Sequence, residues 1–410
     1  MKFPLFLLPF AGLVVACAAP APIVDAPVAS RSEVALSPGK VAPPASLPAA
    51  ASRPVSLPAA AVSVPLAITP AATEPSGREL LDNLLPGKMT DRKGWSDDIF
   101  SAFSALQLQQ SAENFCAAIA VIEQLSSWQS DPVVPNLGQK VWNEIGRRAG
   151  KYHVPLLAVQ AALSVPSREG RSYKARIDAL RTEKQMNELF EDIVNEAPDL
   201  ARKFGITNPI RTGGPMQVGI DFASAHVNSW RYPYPIKDSI RHEVFTRRGG
   251  VYFGIAHLLQ YPIAYQDMLY RFADYNAGRY TSRNVAFQLA AIRLGKSKIT
   301  PDGDLLTYEN GHPAKTKSST EKALLGISGK LGLSAGEIAS DLAKEKTATF
   351  GQSKLYQRVF ALADQVAGKP LPREAMPQIR LQGAKITSKL TTEWFAGRVN
   401  GRYRQCLARQ

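Results

Sequence analysis

The chain has 410 residues, too many for one average domain, so one large or two smaller folded units are expected. Apolar residues make up 45% and charged residues 20%, which excludes disorder throughout, and the mean hydropathy of −0.14 excludes a polytopic membrane protein. Five histidines and three cysteines leave little material for a disulfide scaffold or a metal centre, and we expect no metal and no cofactor. The net charge of +14 favours a polyanionic partner or surface.

The amino terminus has the pattern of a secretory signal. Lys2 is followed by the apolar stretch Phe3–Val15 and then by small residues. This stretch is too short to span a bilayer, and it predicts a signal peptide over residues 1–16. Cys17 follows directly, which resembles a bacterial lipoprotein signal and implies that this thiol carries a lipid anchor. No aspartate follows the cysteine, which favours the outer membrane, facing the periplasm. The alternative is an ordinary signal peptide with an incidental cysteine.

A stalk is predicted over residues 17–77. Twelve prolines lie among the 58 residues 18–75, and the unit Ser46–Ala51 recurs as Ser56–Ala61. Such a composition favours extended polyproline-like chain at about 3 Å per residue, which gives a reach on the order of 100 Å or more. We expect the anchor and the stalk to hold a folded body away from the membrane and within reach of the cell wall.

Helical spacing of apolar residues dominates the rest of the chain, and no alternating strand pattern of useful length occurs. The sequence therefore predicts a mainly α fold. Ile99, Phe103 and Leu106 mark the first amphipathic helix. Further helices are predicted over Asn114–Trp128, Gly138–Arg148, Pro155–Leu163, Tyr173–Glu196, Phe222–Asn228, Val251–Gln260, Ala264–Ala277 and Ser282–Leu294.

A helical C-terminal extension is predicted over residues 316–410. Ser334 has the pattern of a helix start, with glutamate three residues later. Basic residues cluster at Arg241–Arg248 and again over Glu393–Gln410, where aromatic residues are interleaved. The secretory signal argues against nucleic acid, so peptide carboxylates of a glycan or lipid phosphates are the expected partners. A solvated face at a helix end is the alternative.

Three segments carry a resemblance to a known family. Ala117–Trp128 is similar to the first active-site helix of lysozyme-like lytic transglycosylases. Gly214–Val218 resembles their Gly-Leu-Met-Gln motif, and Arg271–Gly278 resembles their Ala-Tyr-Asn-Ala-Gly motif. The resemblance implies a lysozyme-like core over residues 78–315, with a long insertion at 127–213. The whole body also resembles an uncharacterised group of proteobacterial lipoproteins built on this core.

The family's catalytic position holds Leu125 rather than a glutamate. Cleavage of a β-1,4 glycosidic bond needs an acid to protonate the leaving oxygen, and leucine cannot transfer a proton. Glu123 lies two residues earlier, about 200° around the helix, and is a poor substitute as catalytic acid. An acid of the insertion, such as Glu188 or Glu191, is another alternative.

The resemblance further implies a set of sugar-binding residues. By analogy with the family, Gln217 and Asn276 hydrogen-bond sugar amides and Tyr275 lines the cleft. The alternative is purely structural, with Met216 and Gln217 packing at a helix start and Tyr275 and Asn276 serving as a core aromatic and a cap. The substrate-binding set implied as a whole is Leu125, Ser126, Met216, Gln217, Tyr275 and Asn276.

Cys116 and Cys406 remain once Cys17 is lipidated. In the oxidising cell envelope, a disulfide between them is expected to tie the last helix to a core helix. Two buried thiols are the alternative, because cysteine is commonly buried.

These observations predict an outer-membrane lipoprotein that engages peptidoglycan through a groove like that of lytic transglycosylases. Because of Leu125, we expect a binder rather than an enzyme. Two alternatives stay open, which are an active transglycosylase that uses another acid and an envelope scaffold whose groove is vestigial.

Overall fold

The computed structural model describes residues 76–196 except 152, residues 208–295, residues 298–380 except 310, and residues 390–410. The predictions for the signal peptide, Cys17 and all but the end of the stalk lie outside these ranges. The expectation of a mainly α fold is confirmed. The helices within these ranges are α1 (Gly77–Leu84), α2 (Arg92–Ala105), α3 (Ala112–Ser126), α4 (Leu137–Lys151), α5 (Leu156–Ala162), α6 (Tyr173–Asp178), α7 (Glu183–Glu196), α8 (Ile220–Ser229), α9 (Ile240–Val244), α10 (Arg247–Leu259), α11 (Met268–Ala277), α12 (Thr281–Gly295), α13 (Ser319–Gly326), α14 (Ser328–Leu331), α15 (Ala335–Leu342), α16 (Lys354–Ala367) and α17 (Thr392–Leu407), with a 3-10 turn at Ala348–Gln352.

Strands are confined to two short antiparallel hairpins in the described ranges. The first pairs β1 (Thr212–Gly213) with β2 (Val218–Gly219), and the second pairs β3 (Tyr308–Glu309) with β4 (His312–Pro313).

Side-chain caps set many of the helix starts. Ser111 accepts a hydrogen bond from a backbone N–H in the first turn of α3, and Thr246 does the same for α10. Ser334 and Glu337 form a reciprocal capping box at α15, where the sequence predicts a helix start. A cap of this kind stabilises its helix by about 1 kcal/mol. Polar capping residues therefore define helix boundaries that the spacing of apolar residues does not determine.

The sequence predicts one continuous helix over Tyr173–Glu196, but the structure has two helices there, so this prediction is wrong. The chain leaves α6 after Asp178, and Thr182 begins α7 by accepting from the backbone N–H of Gln185 at 3.2 Å. Oε1 of Gln185 in turn accepts from the backbone N–H of Thr182 at 3.3 Å. Thr182 also pairs with Val133 in an isolated bridge, which ties the break to the loop after α3.

Buried apolar side chains form two cores. The larger one combines residues of α1 to α11 with residues of α17, and the smaller one combines residues of α12 to α16. Thus α17, although it follows the smaller core in the chain, packs on α3 and α11. Phe395, Ala396 and Val399 are its buried contact residues.

Helix α10 is the centre of the larger core. Its residues from Val251 to Ala256 are buried, and it contacts α2, α3, β2 and α11. A Cβ on Gly254 would lie 2.3 Å from Sδ of Met216, so the absent side chain lets the first hairpin approach the helix closely. This helix therefore sets the relative positions of the three motif segments.

Candidate functional site

The segment Gly214–Val218 forms the turn of the first hairpin and the start of β2. Gly214 has φ of +71°, and a Cβ there would lie 2.1 Å from the carbonyl oxygen of Val244. Gln217 has φ of 52°, a left-handed conformation that is costly for a non-glycine residue. Met216 is completely buried against α10. Close contacts therefore fix the turn at Gly214, against Val244, and at Met216, against α10. They also fix the backbone position from which the Gln217 side chain extends.

Tyr275 joins the second motif to the third. Its hydroxyl donates to the carbonyl oxygen of Met216 at 2.6 Å, and its ring lies edge-on to His257, with centroids 5.1 Å apart. Burial raises the pKa of Tyr275 well above its ordinary value, so the hydroxyl stays protonated and keeps donating. The structure thus brings Met216 and Tyr275, two residues of the implied substrate-binding set, into direct contact.

Gln217 has a partner that sequence reasoning missed. Its Nε2 donates to Oε2 of Glu183 at 2.8 Å. Glu183 is the first residue of α7 and belongs to the segment 127–213. The linear sequence offers one signal for it, the capping pair Thr182 and Gln185, which predicts a helix start but not the contact with Gln217.

The insertion acids considered from the sequence lie elsewhere on α7. Glu188 pairs with Lys184 at 3.9 Å, and Glu191 pairs with Arg241 at 3.8 Å. Burial raises the pKa of both carboxyls. Neither side chain is a hydrogen-bond partner of Gln217; that place is taken by Glu183.

Asn276 takes part in the docking of α17. Its Oδ1 accepts from the hydroxyl of Thr392 at 2.9 Å, and Thr392 is completely buried. The carboxamide oxygen is therefore engaged within the protein, by a side-chain hydroxyl; the N-cap of α17 itself is Thr391.

The end of α3 carries Leu125, Ser126 and Glu123. Leu125 is half-buried and packs against the larger core. The Ser126 hydroxyl donates to the carbonyl oxygen of Ile122 at 2.9 Å, within its own helix. Glu123 lies 3.4 Å from Nη1 of Arg402, and Nε of Arg402 donates to Oε1 of Gln124 at 3.0 Å. Glu123 therefore faces α17.

A disulfide joins Cys116 of α3 to Cys406 of α17, with Cα atoms 5.5 Å apart. Both residues are completely buried. Together with Arg402, this bond fixes the helix that carries Leu125 to the C-terminal helix.

Two further buried ionisable groups are Asp274, within the third motif segment, and His257 of α10. Asp274 accepts from the Tyr265 hydroxyl at 2.8 Å and from the backbone N–H groups of Tyr280 and Ser282 at 2.9 and 2.7 Å. Burial raises its pKa to about 6. It joins α11 to the start of α12, a structural role. Burial lowers the pKa of His257 to about 3, so its ring beside Tyr275 is neutral.

The basic clusters are largely engaged within the protein. Arg247 pairs with Asp98 and Asp91, and Arg409 donates to the carbonyl oxygen of Leu84 at 2.6 Å. At the start of α17, Trp394 is 40% exposed and Arg398 lies 6.0 Å from its ring centroid. This pair therefore lies on the surface, unlike the two arginines above.

In the described ranges, no group of three or more His, Cys, Asp or Glu side chains is arranged to hold a metal ion. No helix there is both long and apolar enough to cross a bilayer.

Residues 88–409 match the profile of a family described as "protein of unknown function (DUF1615)". The chain belongs to this family. The match includes the three motif segments, the insertion and α17. A relative described as "uncharacterized protein YaiW", from Escherichia coli (strain K12), is 44% identical over 323 residues, which is 79% of this chain and 87% of that protein. No solved structure matches the chain. The expected membership of an uncharacterised proteobacterial family is confirmed.

Proposed function

We propose that this DUF1615 protein binds the glycan strands of peptidoglycan at the site formed by the first hairpin, α11 and the end of α3. The carrying observation is the hydrogen bond from Tyr275 to Met216, which joins two of the three motif segments beside α10. Gln217 stands next to this bond with its amide held by a carboxylate. The contact supports a lysozyme-like arrangement of the larger core, and with it the resemblance to lytic transglycosylases.

The chemistry at the end of α3 supports binding without cleavage. Protonation of a glycosidic oxygen needs a carboxylic acid at the reacting bond. Under the resemblance, Leu125 occupies the position of the catalytic acid of lytic transglycosylases, and Glu123 faces Arg402 on another helix. Under this proposal, a groove that binds sugar units but lacks the acid holds a glycan strand without breaking it.

The predicted signal peptide, anchor and stalk over residues 1–77 support a site of action at the cell wall. Under this proposal the signal peptide is removed at Cys17, and the lipidated thiol anchors the protein in the outer membrane. The stalk spans on the order of 100 Å, so the folded body reaches the peptidoglycan from that anchor. The partners are peptidoglycan and the membrane, with no nucleic acid and no cofactor.

A second candidate function is cleavage of the glycan by a carboxylic acid at a position other than 125. The observation that favours it is Glu183, which brings a carboxylate of the insertion to Gln217. Cleavage by this residue would require its proton to reach the glycosidic oxygen, and the resulting 1,6-anhydro products are directly measurable.

The experiment incubates the full chain, purified in detergent, with isolated sacculi. Co-sedimentation measures binding, and mass spectrometry of released muropeptides measures cleavage. Leu125→Glu is tested in parallel, with Leu125→Gln as a matched variant that cannot donate a proton as an acid. We expect the wild type to sediment with sacculi and to release no 1,6-anhydro product.

Three outcomes bear on the proposal. Release by Leu125→Glu but not by Leu125→Gln would show that the groove seats a glycosidic bond at residue 125. Release by the wild type would contradict a non-cleaving role and favour the second candidate. Failure of the wild type to sediment would contradict glycan binding and favour an envelope scaffold.

A further inference from the structure

We infer that the α5 segment, which comprises residues 155–166 of the insertion, docks on a membrane surface that contains anionic phospholipids. This contact is additional to glycan binding and does not depend on it. It gives a role to the insertion, for which the motif resemblance implies none.

The α5 segment has the composition of a buried helix. It carries no charged residue, and Gln160 is the one polar residue of α5 itself. Ser164 follows the helix, and its hydroxyl donates to the carbonyl oxygen of Gln160 at 2.9 Å, within the segment. A surface helix ordinarily carries charged or polar residues on its outer face, and α5 carries none there.

Only one side of the α5 segment is covered by the protein. Val159 is buried, and Leu156 packs towards α4, where a Cβ on Gly146 would lie 3.5 Å from Cδ2 of Leu156. On the other side, Leu157 is 76% exposed and Val165 is 54% exposed. The exposed apolar residues of the segment are Pro155, Leu157, Ala158, Ala161, Ala162, Val165 and Pro166. A contiguous apolar surface of this kind marks an interaction site.

The shape of this surface favours lipid over a protein partner. The four exposed residues of the helix are Leu157, Ala158, Ala161 and Ala162, so three of the four are alanine and the face is shallow. It presents no aromatic and no arginine side chain, and these residue types dominate the binding energy of protein interfaces. A lipid surface needs no matching pocket, because apolar side chains enter the boundary between headgroups and acyl chains.

Basic residues flank the α5 segment on both sides. Lys151 ends α4 shortly before it, Arg168 follows two residues after it, and both are exposed. The backbone N–H of Lys174 donates to the carbonyl oxygen of Leu163 at 2.7 Å, so the basic chain after the segment turns back against it. Residues 140–178 contain eight lysines and arginines against three acids, a net charge of +5.

Acids of α7 reduce this charge but do not reverse it. Asp192 pairs with Arg176 at 2.5 Å, and Glu196 accepts from the backbone N–H of Arg168 at 3.3 Å. With these two acids included, the net charge is +3. An apolar face between positive charges complements an anionic lipid surface, which takes up the apolar side chains and attracts the bases. The same charge opposes pairing of this face with that of a second copy.

The test measures partitioning of the full chain, carrying Cys17→Ser, into two kinds of lipid vesicle. One is phosphatidylcholine alone, and the other contains about one-third phosphatidylglycerol, which is anionic. Sedimentation of the vesicles over a lipid titration gives the partition coefficient. Cys17→Ser removes the predicted site of lipidation. The amino-terminal apolar stretch is the same in all samples, so its contribution cancels when partition coefficients of variants are compared.

Two double variants each remove one property of the α5 segment. Leu157→Gln with Val165→Gln replaces its largest exposed apolar side chains, and Lys151→Gln with Arg168→Gln removes the two flanking charges. All four positions are exposed, so we expect thermal unfolding to be unchanged.

Matched controls make the same changes on exposed positions of the helices that form the smaller core. Leu289→Gln with Val366→Gln is the apolar control, and Lys322→Gln with Lys330→Gln is the charge control. We expect both controls to change either partition coefficient by less than about twofold, because these side chains lie outside the α5 segment.

We expect the wild type to partition into the anionic vesicles at least about tenfold more strongly than into the neutral ones. Leu157→Gln with Val165→Gln should lower partitioning into the anionic vesicles about tenfold, because two large apolar side chains no longer leave water. Lys151→Gln with Arg168→Gln should lower the same coefficient about fivefold and leave partitioning into neutral vesicles unchanged.

Two results would overturn the inference. If Leu157→Gln with Val165→Gln partitions like the wild type, the α5 segment does not contact lipid. If the wild type partitions equally into both kinds of vesicle, the surface is not selected by charge and the committed partner is wrong. Should the glutamine variant not fold, Leu157→Ala with Val165→Ala shortens the same side chains and is expected to lower partitioning about fivefold; an unchanged coefficient would again overturn the inference.

Failure of this inference and failure of the proposed function are distinguishable. The α5 segment lies outside the first hairpin, α11 and the end of α3, so Leu157→Gln with Val165→Gln is expected to sediment with sacculi as the wild type does. A wild type that binds vesicles but not sacculi would contradict glycan binding and support docking of the α5 segment. A wild type that binds sacculi but not vesicles would do the reverse.

Discussion

The disulfide between Cys116 and Cys406 gives the sharpest prediction about stability. The two residues are separated by 290 positions, so the bond closes most of the folded chain into one loop. In the chain-entropy account, closing a loop of that length lowers the conformational entropy of the unfolded state and raises its free energy by about 5 to 6 kcal/mol. Reduction is therefore expected to lower the free energy of unfolding by up to this amount.

The native contacts of α17 decide how the protein responds to the loss. Without the bond, α17 is still held by the buried residues Phe395, Ala396 and Val399 and by Arg402. We expect the protein to remain folded after reduction but with α17 as its weakest element. Because α17 packs on both α3 and α11, its loosening also weakens the site at Tyr275.

Urea unfolding followed by far-ultraviolet circular dichroism measures the effect, with and without reductant. For a denaturant slope of about 3 kcal/mol per molar urea, the urea midpoint falls by up to about 2 M on reduction. All samples carry Cys17→Ser, so that only the buried pair changes its redox state. A midpoint that moves by less than about 0.3 M would refute the loop-entropy reasoning.

Three further predictions concern single positions. Gly214→Ala places a Cβ near the carbonyl oxygen of Val244 at a positive φ, so we expect a loss of at least about 2 kcal/mol in urea unfolding, whereas Gly87→Ala, with open space around it, changes stability little. At the left-handed residue Gln217, the glycine variant should be about 1 kcal/mol more stable than the alanine variant in the same assay; equal stability would contradict the backbone strain. Burial raises the pKa of Glu345 to about 7, against opposing contacts from Tyr308 and Lys346, so the folded state binds more protons than the unfolded state between about pH 4.5 and 7. In urea unfolding measured from pH 4 to pH 8, the free energy of unfolding of the wild type should therefore fall by about 3 kcal/mol relative to that of Glu345→Gln as the pH rises. A difference that does not change with pH would show that the carboxyl titrates normally in the folded protein.

The helices were predictable where apolar spacing and polar caps agree. The helix predicted over Asn114–Trp128 is Ala112–Ser126, because Ser111 caps it two residues earlier. The helix predicted from Ala264 starts at Met268, since Asp267 accepts from the backbone N–H of Leu269 at 2.8 Å and caps it there. The first turn of α10 was missed because arginines and glycines interrupt its apolar pattern. Apolar spacing reports which face of a helix is buried, whereas the ends depend on single hydrogen bonds.

The site was predictable only in part, for a related reason. The resemblance assigns Met216 and Tyr275 to one substrate-binding set but does not predict the hydrogen bond between them, and nothing in local sequence links residues 59 positions apart. Glu183 and Gln217 are 34 positions apart, and their contact depends on the break before α7 and on the docking of that helix. Because helical spacing runs through Tyr173–Glu196, the sequence predicts one helix there and does not reveal that Glu183 begins a new helix beside Gln217.

The central claim is that a glycan occupies the site beside the first hairpin. Hydrogen–deuterium exchange of the full chain, followed by mass spectrometry with and without the uncharged N-acetylglucosamine hexamer, tests it directly. Bound ligand is predicted to slow exchange in peptides covering residues 212–219, 268–278 and the start of α7, while peptides of the smaller core are unaffected. Unchanged exchange in these three segments at saturating hexamer, or protection confined to other parts of the chain, would contradict the claim.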